Sequence, residues 1–251
     1  MFKMVFENNT VKIPNISNTS NTSNTSNIKI NKTDTNFYVC SAGGCGSTII
    51  YNYLSNFGNV YHIHDRYPPE KLCYVGNENT YIPVYSEWFN ETEIPEDKLT
   101  KYKVLFIYRN PIQVIFSRFA QVKGPNVAHL QHIKCNKNGL IHFGDVIRSR
   151  KDLYGLEEFF DNYTLPKKRN YNIYCIKYED FFNNISTFNN ILGIPDIKSL
   201  YPKKVERPKS FSYVKELSFI YNSLMLKMNS MKFIEIIKPL EDINSNDEND
   251  V

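Results

Sequence analysis

Between residues 37 and 243 the apolar positions follow two alternating patterns: short continuous runs, and longer stretches spaced three and four apart. The runs Asn36–Ser41, Val60–His64, Ile82–Trp88, Lys103–Tyr108 and Tyr171–Lys177 predict strands. Helical spacing appears in Ile50, Tyr53, Leu54 and Phe57, then in Ile112, Ile115, Phe116 and Phe119. It returns from about Asp152 in Leu156, Phe159, Phe160 and Tyr163, and after Tyr178 in a helix that Gly193-Ile-Pro195 stops at Leu192. A last helix carries Leu217, Ile220, Tyr221, Leu224 and Met228, whereas 123–150 matches neither period. Strands alternating with helices predict an α/β fold, a mainly parallel central sheet flanked by helices. Ligands of such folds bind at the carboxyl ends of the strands.

The ends of the chain break this pattern. Residues 1–36 are polar, with three copies of Asn-Thr-Ser from Asn18 to Ser26, and 244–251 are acidic. Neither stretch buries enough apolar surface to offset chain entropy, so both are expected to be disordered around one domain at 37–243. The chain has 251 residues, 41% hydrophobic and 22% charged, enough to build a core in that domain. No apolar run reaches the length of a membrane span and no signal peptide precedes the domain, so a cytoplasmic protein is expected. Five scattered cysteines (Cys40, Cys45, Cys73, Cys135, Cys175) fit neither a zinc site nor a disulfide framework. Cys45 reads as an exposed, oxidisable thiol and the others as small buried hydrophobes. The net charge of +4 becomes about +5 over 37–243, which favours a small polyanion over nucleic acid.

Candidate chemistry begins at Ser41-Ala-Gly-Gly-Cys-Gly-Ser-Thr48, a glycine-rich turn between the first strand and its helix. Gly43, Gly44, Cys45 and Gly46 would let backbone N–H groups approach an anion, and Ser47 and Thr48 add hydroxyls. A plain strand–helix turn is the alternative reading. The turn is not a Walker A loop, because Ser47 follows Gly46 where that motif needs Lys. No strand ends in the Asp that would hold magnesium, which disfavours ATP or GTP chemistry. At the end of the 103–108 strand, Arg109-Asn-Pro111 offers a cation, a capping Asn and a proline for the first helical position. Ser117 lies about two helical turns past Asn110, on the same side of the helix, so Arg109 and Ser117 could grip one phosphate, although taken alone a solvated strand-end Arg and a surface Ser is the favoured reading.

These residues resemble the sulfotransferase family, which uses 3′-phosphoadenosine 5′-phosphosulfate (PAPS). Gly46-Ser47-Thr48 is similar to the family's 5′-phosphosulfate loop; Arg109-Asn-Pro, with Ser117 eight residues after the Arg, is similar to its 3′-phosphate element. Tyr178-Glu179-Asp180 matches a third element, whose Tyr lies near adenine, though Tyr178 could equally pack in the core; the likeness covers about 37–193. The resemblance implies a P-loop-like sulfotransferase fold. It also implies transfer of a sulfuryl group from PAPS to a hydroxyl or amine, release of adenosine 3′,5′-bisphosphate, and no metal. The general base would be His64, with Asp65 and Glu87 in reserve; alternation puts His62 and His64 on one strand face, one of them structural. Arg207 and Lys209, in the basic 203–209 loop, would cover the 3′-phosphate or simply be solvated. One departure stands out: the family has Lys or Arg where this chain has Gly44. Arg66, Lys123 or the 203–209 loop would replace the charge, or turnover is slow or absent. The alternatives are a catalytically impaired nucleotide-binding module of the same fold and a P-loop kinase. The acceptor, a small molecule, glycan or protein, is not specified.

Overall fold

A computed structural model describes residues 32–75, 92–119, 130, 133–135, 140–204 and 212–240. Phe37, Tyr38, Val39 and Cys40 are at most 1% exposed, as a strand covered on both faces requires, and they form β1 (Asn36–Cys40). A glycine turn leads into α1 (Ser47–Leu54), which returns to β2 (Asn59–Ile63). A 3-10 turn at Glu96–Lys101 introduces β3 (Tyr102–Tyr108), buried without interruption from Val104 to Tyr108. Next along the chain are α2 (Pro111–Arg118), α3 (Phe143–Ser149), α4 (Leu156–Thr164) and β4 (Ile173–Lys177). The chain continues through α5 (Tyr178–Phe181), α6 (Ile185–Leu192), α7 (Val214–Ile220), α8 (Asn222–Ser230) and β5 (Ile234–Ile237).

The sheet order is β2-β1-β3-β4-β5. Its first four strands are parallel, with Asn36 opposite Asn59 and Tyr102, and Val104 opposite Ile173. β5 alone runs antiparallel, Ile173 facing Ile237. The expected α/β architecture is therefore present as a five-stranded, mostly parallel sheet flanked by helices. Phe106 of β3 stacks on Tyr163 and Phe159 of α4, with ring centroids 4.4 and 6.1 Å away, which seats that helix on the sheet. Tyr53 of α1 meets Phe181 and Phe188, and its hydroxyl donates to Asn189 Oδ1 at 2.9 Å.

Several elements differ from the sequence expectation. The helix expected from Asp152 starts at Leu156, because Gly155 is left-handed (φ 59) and the Asp152 carboxylate accepts from Glu157 N. The helix expected through Leu192 is two pieces, α5 and α6, although Gly193 ends it in the left-handed conformation as anticipated. The last helix also breaks, at Tyr221, whose buried hydroxyl donates to Asp152 Oδ1 at 2.9 Å. α3 and β5 have no counterpart in the apolar pattern. The strand expected at Ile82–Trp88 lies outside the described residues, as do most of both chain ends. Among the described residues no helix is long and apolar enough to cross a membrane.

Candidate functional site

β1, β3 and β4 are parallel neighbours in the sheet, so the segments leaving their carboxyl ends meet at the same end of the sheet. After β1 comes the loop Ser41–Gly46, in which Gly43, Gly44 and Gly46 have φ of 75, 67 and 80°. L-residues avoid that region, so glycine is required here by conformation. Space requires it too. A Cβ on Gly46 would land in the Tyr178 ring, 2.5 Å from Cδ2, and one on Gly44 would sit 3.0 Å from Arg118 Cγ and 3.3 Å from Ser117 Cβ.

After β3, the Asn110 side chain accepts from Ile112 N at 3.0 Å and Pro111 occupies the first helical position, so the local chemistry read from Arg109-Asn-Pro holds. Arg109 turns back over the loop. Its Nη1 donates to the Gly44 carbonyl at 3.3 Å and its Nη2 to Gln113 Oε1. The guanidinium carbon stands 4.9 Å from the centroid of the Tyr178 ring, and Nε is 3.9 Å from Glu179 Oε1. Glu179 Oε1 also accepts from Asn110 N at 3.0 Å, tying the start of α5 to the start of α2. Gly44, Gly46, Arg109, Ser117 and Tyr178 are thus brought together. Arg109 and Ser117 both border Gly44, and Tyr178, only 9% exposed, covers Gly46.

The hydroxyls and imidazoles near the loop face inward. Gly43 N donates to Ser41 Oγ, Ser41 Oγ donates to Ser47 Oγ at 2.9 Å, and Ser47 Oγ lies 2.7 Å from His62 Nε2. His64 Nδ1 is 2.7 Å from the Ser41 carbonyl; a carbonyl only accepts, so the proton is on Nδ1. His62 and His64 share a face, as alternation predicts, with ring centroids 4.5 Å apart and exposures of 5% and 1%. Ser47 is therefore a strut beneath the loop, while Thr48 is exposed. Asp65 is buried, accepts from Tyr67 N and pairs with Lys134 at 2.9 Å. Glu87, Arg207 and Lys209 lie outside the described residues, as does Lys123.

Three expectations are corrected. Cys73 and Cys135, read as buried, are only half-buried. Cys45 is buried rather than exposed; its Sγ donates to the Gly43 carbonyl, and burial pushes its thiol up to about 12, which suppresses thiolate chemistry. Arg66 does not face the loop. It is 2% exposed and donates to the Ile133, Tyr154 and Gly155 carbonyls. A residue that the motif spacing misses is Arg118. Val114, Ser117 and Arg118 stand at i, i+3 and i+4 on α2, and all three contact the space beside Gly44. That helical spacing is the signal that could have found it.

Burial, and secondarily the positive charge of Arg118, lowers the His62 pKa to about 4. The unfolded chain, with a histidine near 6.5, then binds a proton that the folded chain refuses. Stability should be full above pH 6.5, fall as pH drops from 6.5 to 4, and level off below. The loss from this residue is roughly 3 kcal/mol at 1.36 kcal/mol per pKa unit. Urea unfolding at pH 7, 5.5 and 4.5 should show that slope, and His62→Gln should flatten it. Equal slopes in the two proteins would refute the assignment.

No family model matches the chain, and no curated protein or solved structure is found to be similar to it.

Proposed function

We propose that the chain is a PAPS-dependent sulfotransferase of P-loop-like fold, binding the nucleotide across the loop Ser41–Gly46 and the start of α2. The observation that carries this reading is the meeting of the glycine loop with the segment that follows β3: the Arg109 guanidinium donates to the Gly44 carbonyl, and Ser117 Cβ lies 3.3 Å from the Gly44 Cβ position. A cation, a hydroxyl and close-packed glycine backbone around one point are what a phosphate group needs. The absence of side chains on Gly44 and Gly46 and the mixed donors around them fit a doubly phosphorylated adenosine. Arg109 and Ser117 would hold its 3′-phosphate, the amides of the glycine loop its 5′ end, and Tyr178 the base. When bound, PAPS supplies an activated sulfuryl group for transfer to a hydroxyl or amine.

The chain's own contribution is placement and charge. The strut from Gly43 through Ser41 and Ser47 to His62 holds the loop rigid, so its amides need no rearrangement on binding. His64 is the proposed base. Its Nδ1 proton is fixed on the Ser41 carbonyl, which leaves the Nε2 lone pair to take the acceptor's proton. At 1% exposure it is reached only when the covering residues move. This burial favours the second reading, a binding module of the same fold that transfers slowly or not at all.

Calorimetric titration with adenosine 3′,5′-bisphosphate tests the nucleotide site. Binding to the wild type should weaken about a hundredfold in Arg109→Ala, close to 3 kcal/mol at 1.4 kcal/mol per tenfold. Near-native affinity in the variant, or no binding by the wild type, rejects the site. Single-turnover transfer from PAPS to a mixed panel of phenols, sugars and amines then separates the enzyme from the binding module.

A further inference from the structure

Gly44 leaves the glycine loop without a charged side chain, and the stem of Arg118 fills the adjoining space. Its Cγ is the nearest heavy atom to the Cβ position of Gly44, at 3.0 Å, with Ser117 Cβ and the Val114 carbonyl at 3.3 Å. With φ at +67° and neighbours this close, a long side chain at position 44 is disfavoured by backbone and packing alike.

The charge of Arg118 has an unusual setting. Its Nε is buried with no hydrogen-bond partner, and among the described residues no carboxylate forms an ion pair with it. A buried donor left unmatched costs about 1–3 kcal/mol, and a bound anion is one way to satisfy it. Arg109 Nε is buried and unmatched as well, but the rest of its guanidinium is engaged by Gln113 and the Gly44 carbonyl, with Glu179 at 3.9 Å. The field of Arg118 reaches both sides of the loop: it opposes protonation of His62 and favours the Cys45 thiolate, though burial outweighs it at Cys45. Arg109 precedes α2 and Arg118 ends it, yet both side chains reach Gly44, Arg109 through Nη1 on its carbonyl and Arg118 through Cγ beside its Cβ position. Two cationic side chains from the two ends of α2, both converging on Gly44, suit an anion with more than one charged group.

We infer that Arg118 supplies from α2 the positive charge that the loop lacks at Gly44, and that it binds the 5′-phosphate end of the nucleotide. The inference rests on the sulfotransferase reading and assigns a residue to its unmatched charge. In transfer, the acceptor oxygen bonds to sulfur as the bond from sulfur to the bridging oxygen breaks. The electron pair of that bond stays on the bridging oxygen of the 5′-phosphate, where Arg118 would neutralise it; the acceptor proton goes to the base.

The test is a binding comparison on the full chain. Adenosine 3′,5′-bisphosphate, adenosine 3′-monophosphate and inorganic pyrophosphate are titrated into wild type, Arg118→Met and Arg118→Lys, with thermal unfolding confirming the fold. Arg118→Met should weaken the bisphosphate at least tenfold and leave the 3′-monophosphate within about threefold, and Arg118→Lys should recover most of the loss. Unchanged bisphosphate affinity in Arg118→Met, or equal losses for both nucleotides, overturns the role of Arg118 while leaving the sulfotransferase reading in place. A wild type that binds neither nucleotide overturns that reading instead. Pyrophosphate then decides for Arg118: binding lost in Arg118→Met supports its anion site, and binding absent or unchanged overturns it. Should Arg118→Met fail to fold, Arg118→Gln, which keeps the stem against Gly44, carries the same comparison.

Discussion

Arg66→Met is expected to destabilise the protein by about 2–4 kcal/mol, from the loss of hydrogen bonds made by one buried guanidinium. Arg66 is 2% exposed, and its side chain ties together three stretches of chain. Nε donates to the Ile133 carbonyl at 2.8 Å, Nη1 to the Gly155 carbonyl at 2.6 Å and to Glu158 at 2.9 Å. Nη2 donates to the Tyr154 carbonyl and to Cys135 Sγ, both at 2.7 Å. Methionine keeps the length of the stem but loses the guanidinium over Phe159 and its hydrogen bonds. The Tyr154 and Gly155 carbonyls retain Cys135 Sγ and Phe159 N as donors, so the Ile133 carbonyl is the one left without one. Arg66→Lys should recover little, since one ammonium cannot reach partners arranged for a planar fork. Glu158→Gln should cost under about 1 kcal/mol, because the Glu158 side chain is 57% exposed. Urea unfolding measures all three. A midpoint for Arg66→Met within experimental error of the wild type would overturn this expectation. The same guanidinium explains Gly155, where a Cβ would sit 3.1 Å from Arg66 Cζ and closer to Nη1.

Gly46→Ala should cost about 3–4 kcal/mol and abolish nucleotide binding with it. One part is conformational: a left-handed φ of 80° costs an L-residue roughly 1–2 kcal/mol. The rest is steric, because the new methyl meets the Tyr178 ring 2.5 Å from Cδ2 and Cζ and closer still to Cε2. The ring has little freedom to retreat, being 9% exposed with the Arg109 guanidinium stacked on it. Combining Gly46→Ala with Tyr178→Ala should therefore cost less than the sum of the two, by about the steric part, which a double-mutant cycle reads directly. Gly144→Ala in α3 is the control: nothing lies within 4 Å of its Cβ position, and alanine in a helix should be neutral or slightly stabilising.

Strands β1 and β3 are legible in the sequence because fully buried parallel strands write themselves as unbroken apolar runs. The Asn110 cap and the Gly193 stop are legible because each depends on only a few adjacent residues. β5 is not: Ile234–Ile237 is four residues at a sheet edge, and only pairing with β4 makes it a strand. The break at Tyr221 escapes for a related reason, since the apolar spacing runs through it while the hydroxyl bond to Asp152 spans 69 residues. Within the site, Gly44 and Gly46 stand out as a glycine-rich turn, whereas Arg109 and Ser117 stand out only through the resemblance to the sulfotransferase motifs. The inward turn of Ser47 stands out in neither way, because it depends on His62 arriving beneath it from β2. Arg66 reads as an available loop cation because backbone carbonyls 67 to 89 positions away leave no trace in local pattern. Arg118 sits beside a residue that the motif singles out, and only a helical count from Val114 brings it to the loop.

Tyr178 has a consequence for how tightly the loop can hold anything. Its ring lies on Gly46 with one face against the Arg109 guanidinium, so aromatic and cation already satisfy each other. An incoming anion does not meet a bare charge; it competes with an internal occupant. Its measured affinity is then the difference between two rival tenants of the same cation, and weakening the resident one is a route to tighter binding that adds no new contact to the ligand.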